Sequence, residues 1–117
     1  MKPQYHERIA VHSPVIFTIG SRVGEGLALD LTIPGCLIQS PTHLKKGEYL
    51  QLKILLPRIR TYLSVSLGAV RWNKGAQFGV EFIKMSERDS QILTEFICRQ
   101  LADKKWKNPV TERQATQ

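Results

Sequence analysis

Four residues have the types and the spacing to recognise a charged ligand: Arg8, then Asp30, Thr32 and Gly35 in the run DLTIPG. A guanidinium grips phosphate, or donates two parallel hydrogen bonds to O6 and N7 of guanine. A carboxylate can accept from guanine N1–H and N2–H, which adenine does not present together. Asp30 and Thr32 lie two residues apart, on one face of a strand that continues through both. Either side chain can accept a backbone N–H and fix the turn that follows. Gly35 allows a positive φ or the close approach of another group. Such a turn can present donors to an anion, and it can equally be a structural corner between two strands. Arg8 can clamp a ligand or simply be solvated. The residues alone leave these alternatives open.

Arg71-Trp72 is a second pair of this kind. The indole can stack on a base while the guanidinium meets a phosphate, or the tryptophan can pack against the barrel or the helix. Lys45-Lys46 and the cluster Lys104, Lys105, Lys107 are short runs of the sort that stand solvated. They do not call for a polynucleotide. The net charge of +7 favours an anionic partner without choosing one.

Catalytic signatures are missing. His6, His12 and His43 are scattered, and no nucleophile elbow or phosphate loop is present. GSRVGEG is rich in glycine but lies between strand-like runs, where a connection is the better reading. Cys36 and Cys98 are 62 residues apart with no Cys/His cluster, which excludes the spacing of a structural zinc and leaves two buried, reduced thiols as the expectation. No enzyme activity, metal or resident cofactor is expected. The absence of a signal-like segment or a long apolar run points to a soluble, cytoplasmic chain with no membrane span.

The positioning elements follow from periodicity. A length of 117 residues suits one domain with one core. IAVHSPVIFTI reads as a first strand that tolerates Pro14 at an edge or bend. In GLALDLTI, strict alternation would put Leu27, Leu29 and Leu31 on one face and Ala28 and Asp30 on the other. CLIQS is a short strand, SPTHLKKGE a loop with a tight turn at Gly47, and YLQLKILLP a half-buried strand ended by Pro57. TYLSVSLGAVRW, with Leu63, Val65, Leu67 and Ala69 on one face, and AQFGVEFI form a hairpin across Asn73-Lys74-Gly75. At Ser86 the period changes: SERD caps a helix whose stripe is Ile92, Leu93, Phe96, Ile97 and Leu101. The helix is expected to end near Lys104 to Asn108, before Pro109. The fold class is therefore all-β: a six-stranded antiparallel barrel with a C-terminal α-helix. Its parts are an arm (residues 1–10), the barrel and helix (11–103) and a flexible basic tail (104–117).

These patterns resemble the PilZ domain family over about residues 4 to 101. DLTIPG is similar to the family's D/NxSxxG signature with Thr32 in place of serine. GEGLALDLTIPGCLI, GAVRW and QFGVEFI follow in the family's order. The resemblance implies a PilZ-like barrel that binds cyclic di-GMP through Arg8, Asp30, Thr32 and Gly35, with Arg71 and Trp72 at its periphery. It also implies a bacterial signalling or adaptor role toward an unknown protein partner, with nucleic acid not expected. Of the family's RxxxR signature Arg8 matches the second arginine, while the first position falls on Gln4. Glutamine can hydrogen-bond a phosphate or base but cannot neutralise it. The chain is thus expected either to bind cyclic di-GMP through its arm or to be a PilZ-like adaptor that does not bind it.

Overall fold

Side chains alternate along β1 (Ile9–Ile19): Ile9, Val11, Ser13, Val15 and Phe17 are buried, and Ala10, His12, Pro14 and Ile16 face out. That alternation fixes one wall of a barrel. The computed structural model describes residues 7–116, with side chains to residue 103. β1 is followed by β2 (Arg22–Leu31), β3 (Gly35–Gln39), β4 (Tyr49–Leu56), β5 (Thr61–Lys74), β6 (Gln77–Lys84) and α1 (Glu87–Thr116). The strands close in the order β1-β2-β3-β6-β5-β4, every pairing antiparallel. Closure leaves no unpaired sheet edge, and it makes β3 and β6, distant in sequence, neighbours.

The interior is filled by Phe17, Leu31, Ile38, Leu52, Ile54, Leu63 and Phe78, with the Phe17 and Phe78 rings edge to face at 5.7 Å. α1 covers part of the barrel with Leu93, Phe96 and Ile97, flanked by the half-buried Ile92 and Leu101. Its start is fixed as expected: the Ser86 hydroxyl accepts from the Asp89 N–H at 3.0 Å. Asp89 also reaches outside the helix, accepting from the Ser64 N–H at 3.0 Å and so tying the cap to β5.

Three expectations are revised. Leu27, Leu29 and Leu31 do not share one buried face. Ala28 pairs with Ile38 and Asp30 with Leu37, so Leu29 is an extra residue in the β2–β3 ladder. This bulge switches the facing of the strand, burying both Ala28 and Leu31 and turning Asp30 outward. Cys98 is exposed while Cys36 is buried, because Cys98 lies off the helix stripe that meets the barrel. The helix runs past Lys104–Asn108 and through Pro109 to Thr116. Proline removes one donor from the ladder; Asn108, Val110 and Thr111 beside it are weak helix formers, but Lys104, Lys105 and Lys107 before them and Glu112 to Ala115 after them are good ones.

Candidate ligand-binding site

β2 ends at Leu31, and the chain reverses through Thr32-Ile33-Pro34 into β3. Thr32 locks this reversal. Its N–H donates to the Gly35 carbonyl at 2.8 Å, and its hydroxyl bridges the N–H and the carbonyl of Gly35, both at 2.9 Å. Thr32 therefore leaves the strand and faces the turn, so Asp30 and Thr32 are gathered by the hairpin rather than by a continuing strand. The Pro34 carbonyl accepts from the Phe82 N–H at 2.7 Å, clamping the turn onto β6. Gly35 is required by close approach: a Cβ there would run into the Val80 carbonyl, and its φ is not positive. The glycine is a closure point of the barrel as well as a turn residue.

An open cleft of about 260 Å³ lies over this turn. Arg8, Asp30, Thr32 and Gly35 form one side, and Arg71, Trp72 and Glu81 of the β5–β6 hairpin the other. Asp30 is the best-fixed charge in it. One carboxylate oxygen accepts from the Leu37 N–H at 3.2 Å, and the other meets Arg8 at 3.4 Å. The Asp30 side chain is 18% exposed and that of Arg8 74%, so the carboxylate is anchored and the guanidinium is presented to solvent.

Across the cleft, Arg71 donates to Glu81 at 2.6 Å. Arg71 is extra in the β5–β6 ladder, since Val70 pairs with Val80 and Trp72 with Gly79. This second bulge turns Arg71 and Trp72 toward the cleft. Trp72 is 43% exposed and lies flat against Gly79, where a Cβ would collide with the indole nitrogen. It is not a core tryptophan. It packs against the outside of the barrel, on Gly79 of β6, and also lines the cleft.

Beneath the cleft, burial and then the Asp30 charge push the Cys36 thiol far above its ordinary range, leaving it protonated and inert. Among the described residues no group of three or more histidine, cysteine or carboxylate side chains could hold a metal ion. Likewise no described helix is long and apolar enough to cross a membrane. Of the residues expected to form a site, Arg8, Asp30, Thr32, Gly35, Arg71 and Trp72 all line this one cleft. Gln4 lies outside the described residues. Glu81 was not singled out as a partner for Arg71; the signal was its place opposite the Arg71 bulge, which depends on register.

A closed antiparallel barrel thus carries, over one hairpin, a cleft bordered by two arginines and two carboxylates. The chain belongs to the PilZ domain family, whose model matches residues 4–99, a family of non-catalytic ligand-binding and adaptor modules. Solved structures agree on the fold. The PilZ domain of YcgR from Escherichia coli, solved with cyclic di-GMP, superposes with a TM-score of 0.70 at 11% identity, over 92% of this chain and 98% of that one. The inhibitor of motility MotI/DgrA of Bacillus subtilis gives 0.68 at 20% identity, over 87% of this chain and 53% of that one. The PilZ domain of CeSA from a cellulose-synthesizing bacterium gives 0.60 at 15% identity, over 75% and 91%. The chain thus spans about half the length of the motility inhibitor. No curated protein matches it at a significant level.

Proposed function

We propose that the chain is a cyclic di-GMP-binding signalling or adaptor domain, whose N-terminal arm and partner-facing surface change when the ligand binds. The observation that carries this reading is the convergence of Arg8, Asp30 and the Thr32–Gly35 turn on one cleft, with Arg71 and Trp72 facing them. In this reading Arg8 leaves Asp30 to grip a phosphate or a guanine edge. Asp30 accepts from guanine N1–H and N2–H, while the turn holds the ligand backbone. Trp72 offers a stacking face, and Arg71 a second cation on release from Glu81. The structures of YcgR and of Borreliella burgdorferi PlzA in complex with cyclic di-GMP support the ligand class through the shared family.

Gln4 is the proposed substitute for the first arm arginine, hydrogen-bonding where an arginine would also neutralise charge. One missing charge-assisted contact weakens binding by about 2 kcal/mol, roughly thirtyfold. Both cleft arginines are also already paired, with Asp30 and Glu81. These two features favour a second reading, an adaptor that keeps the PilZ fold and binds no dinucleotide.

Calorimetric titration with cyclic di-GMP separates the two. The first reading expects saturable heat that Arg8→Ala and Asp30→Ala each reduce. No heat at ~100 μM ligand, with both variants matching the parent, leaves the adaptor.

A further inference from the structure

A second concave surface lies at the far end of β5. Thr61 borders it, whereas Arg71 near the other end of the same strand borders the cleft. At about 3.3 Å per residue, roughly 30 Å of strand separates them. This groove, of about 280 Å³, runs between the β4–β5 turn and one face of α1. Arg88, Ile92, Glu95, Phe96, Arg99 and Asp103 recur along it at helical spacing, over roughly 22 Å of helix at 1.5 Å per residue.

The turn is built in an uncommon way. Arg58 and Arg60 both have positive φ, 74° and 53°. The Ile59 N–H donates back to the Pro57 carbonyl at 2.8 Å around Arg58, a tight three-residue turn that a side-chain-bearing residue seldom adopts. Strain of this kind persists only where surrounding contacts hold it. Here Arg58 is bound to Asp103 of α1 at 2.9 Å. The same turn leaves Ile59 42% exposed at the groove's lip.

The electrostatics choose the occupant. Asp103 is neutralised by Arg58, while Glu95 accepts only from the neutral Gln91 amide at 3.5 Å and keeps its charge, so the lining carries three guanidinium groups against two carboxylates. Arg88 and Arg99 are exposed and form no ion pair among the described residues. They stand eleven residues apart, three helical turns, on the same face. Ile92 lies between them along the helix with Glu95, and Ile59 of the β4–β5 turn borders the same groove. Two guanidinium groups outside any ion pair, with apolar surface at Ile59 and Ile92 and a single unpaired carboxylate, Glu95, in the same groove, match an amphipathic segment with carboxylates at both ends and an aliphatic anchor in the middle.

We propose that this groove docks an acidic amphipathic segment of a protein partner, its carboxylates on Arg88 and Arg99 and its apolar residue against Ile59 and Ile92. The inference does not depend on dinucleotide binding at the cleft. It gives the domain a protein-facing surface at the opposite end of β5 from the cleft.

The test is selection of a randomised peptide library on the full chain, with the Arg88→Glu/Arg99→Glu double variant for counter-selection. Enriched peptides are then titrated by fluorescence anisotropy. Expected are acidic peptides with apolar residues three or four apart, weakened about tenfold or more by the double variant and more modestly by Ile59→Ser. Both arginines are exposed, so the double variant is expected to melt with the parent; Arg99→Gln is the milder control if it does not. Neutral or basic consensus peptides would overturn the proposal, as would equal binding to the double variant. So would unchanged binding after the peptide's apolar residues become serine, or an RNA oligomer that binds more tightly and with the same loss in the double variant.

Discussion

The cleft over the Thr32–Gly35 turn and the groove beside α1 both present arginines, but they hold them differently. In the cleft each guanidinium already faces a carboxylate fixed to the sheet: Asp30 is anchored by the Leu37 amide, and Glu81 stands across the Arg71 bulge. A ligand there must exchange partners, so its net gain is the difference between two charge-assisted contacts. In the groove only Arg58 is engaged, and Arg88 and Arg99 stand free on a helix among the described residues. A ligand there adds contacts without breaking any, and its affinity should fall with salt as exposed pairs do. The difference suits a selective small-ligand site at one end of β5 and a weaker, charge-steered protein surface at the other.

The strongest way to break the comparison is to remove both regions at once. Gly35→Val would drive a side chain into the Val80 carbonyl and open the β3–β6 seam. The expected cost is about 3 kcal/mol or more, read as loss of the cooperative melting transition. Asp30→Ala acts on the cleft alone. It removes the acceptor of the Leu37 N–H and the anchor of Arg8, so cyclic di-GMP affinity should fall about thirtyfold or more, with peptide binding in the groove unchanged. Restoring the arm charge with Gln4→Arg should raise dinucleotide affinity in calorimetry by up to about thirtyfold. No gain would argue that the cleft does not use the arm.

Ser86→Ala removes the cap that positions the first turn of α1. A loss of about 1 kcal/mol is expected in denaturant titration, together with weaker peptide binding through Arg88 and no change at the cleft. The smallest effect concerns the thiols. With a disulfide reagent at neutral pH the folded chain should yield one reactive cysteine, Cys98, and a second only on denaturation. The buried Cys36 holds its proton in the folded state above the pH at which the unfolded thiol loses it. Stability should therefore decline as pH rises above the ordinary thiol range, and Cys36→Ser should flatten that decline.

Much of this architecture was legible because it rests on local rules. β-Branched and aromatic content marked β1, alternation marked β4, the Ser86–Asp89 cap marked the start of α1, and the run from Thr32 to Gly35 marked a turn whose hydrogen bonds lie within four residues. The facing of Asp30, Arg71 and Trp72 was less accessible. Each depends on a bulge, and a bulge is set by the register of a partner strand rather than by the residues within it. Alternation counted through Leu29 consequently placed Leu27 and Leu29 on the same face as the buried Leu31. The helix end was misread for a related reason, because one proline was given more weight than the helix formers around it.

By itself the sequence determined the number of strands, the helix and its apolar stripe, and which short run carries the carboxylate, the hydroxyl and the close-packed glycine. Tertiary structure alone decided that Arg8 meets Asp30, that Trp72 rests on Gly79 across from them, and that the strained Arg58 borders a groove on α1. The division has a physical cause. Periodicity, caps and turns are satisfied within a few residues, while the cleft and the groove exist only once β3 pairs with β6 and α1 packs against β5, and the energy of those contacts comes from residues far apart in the chain.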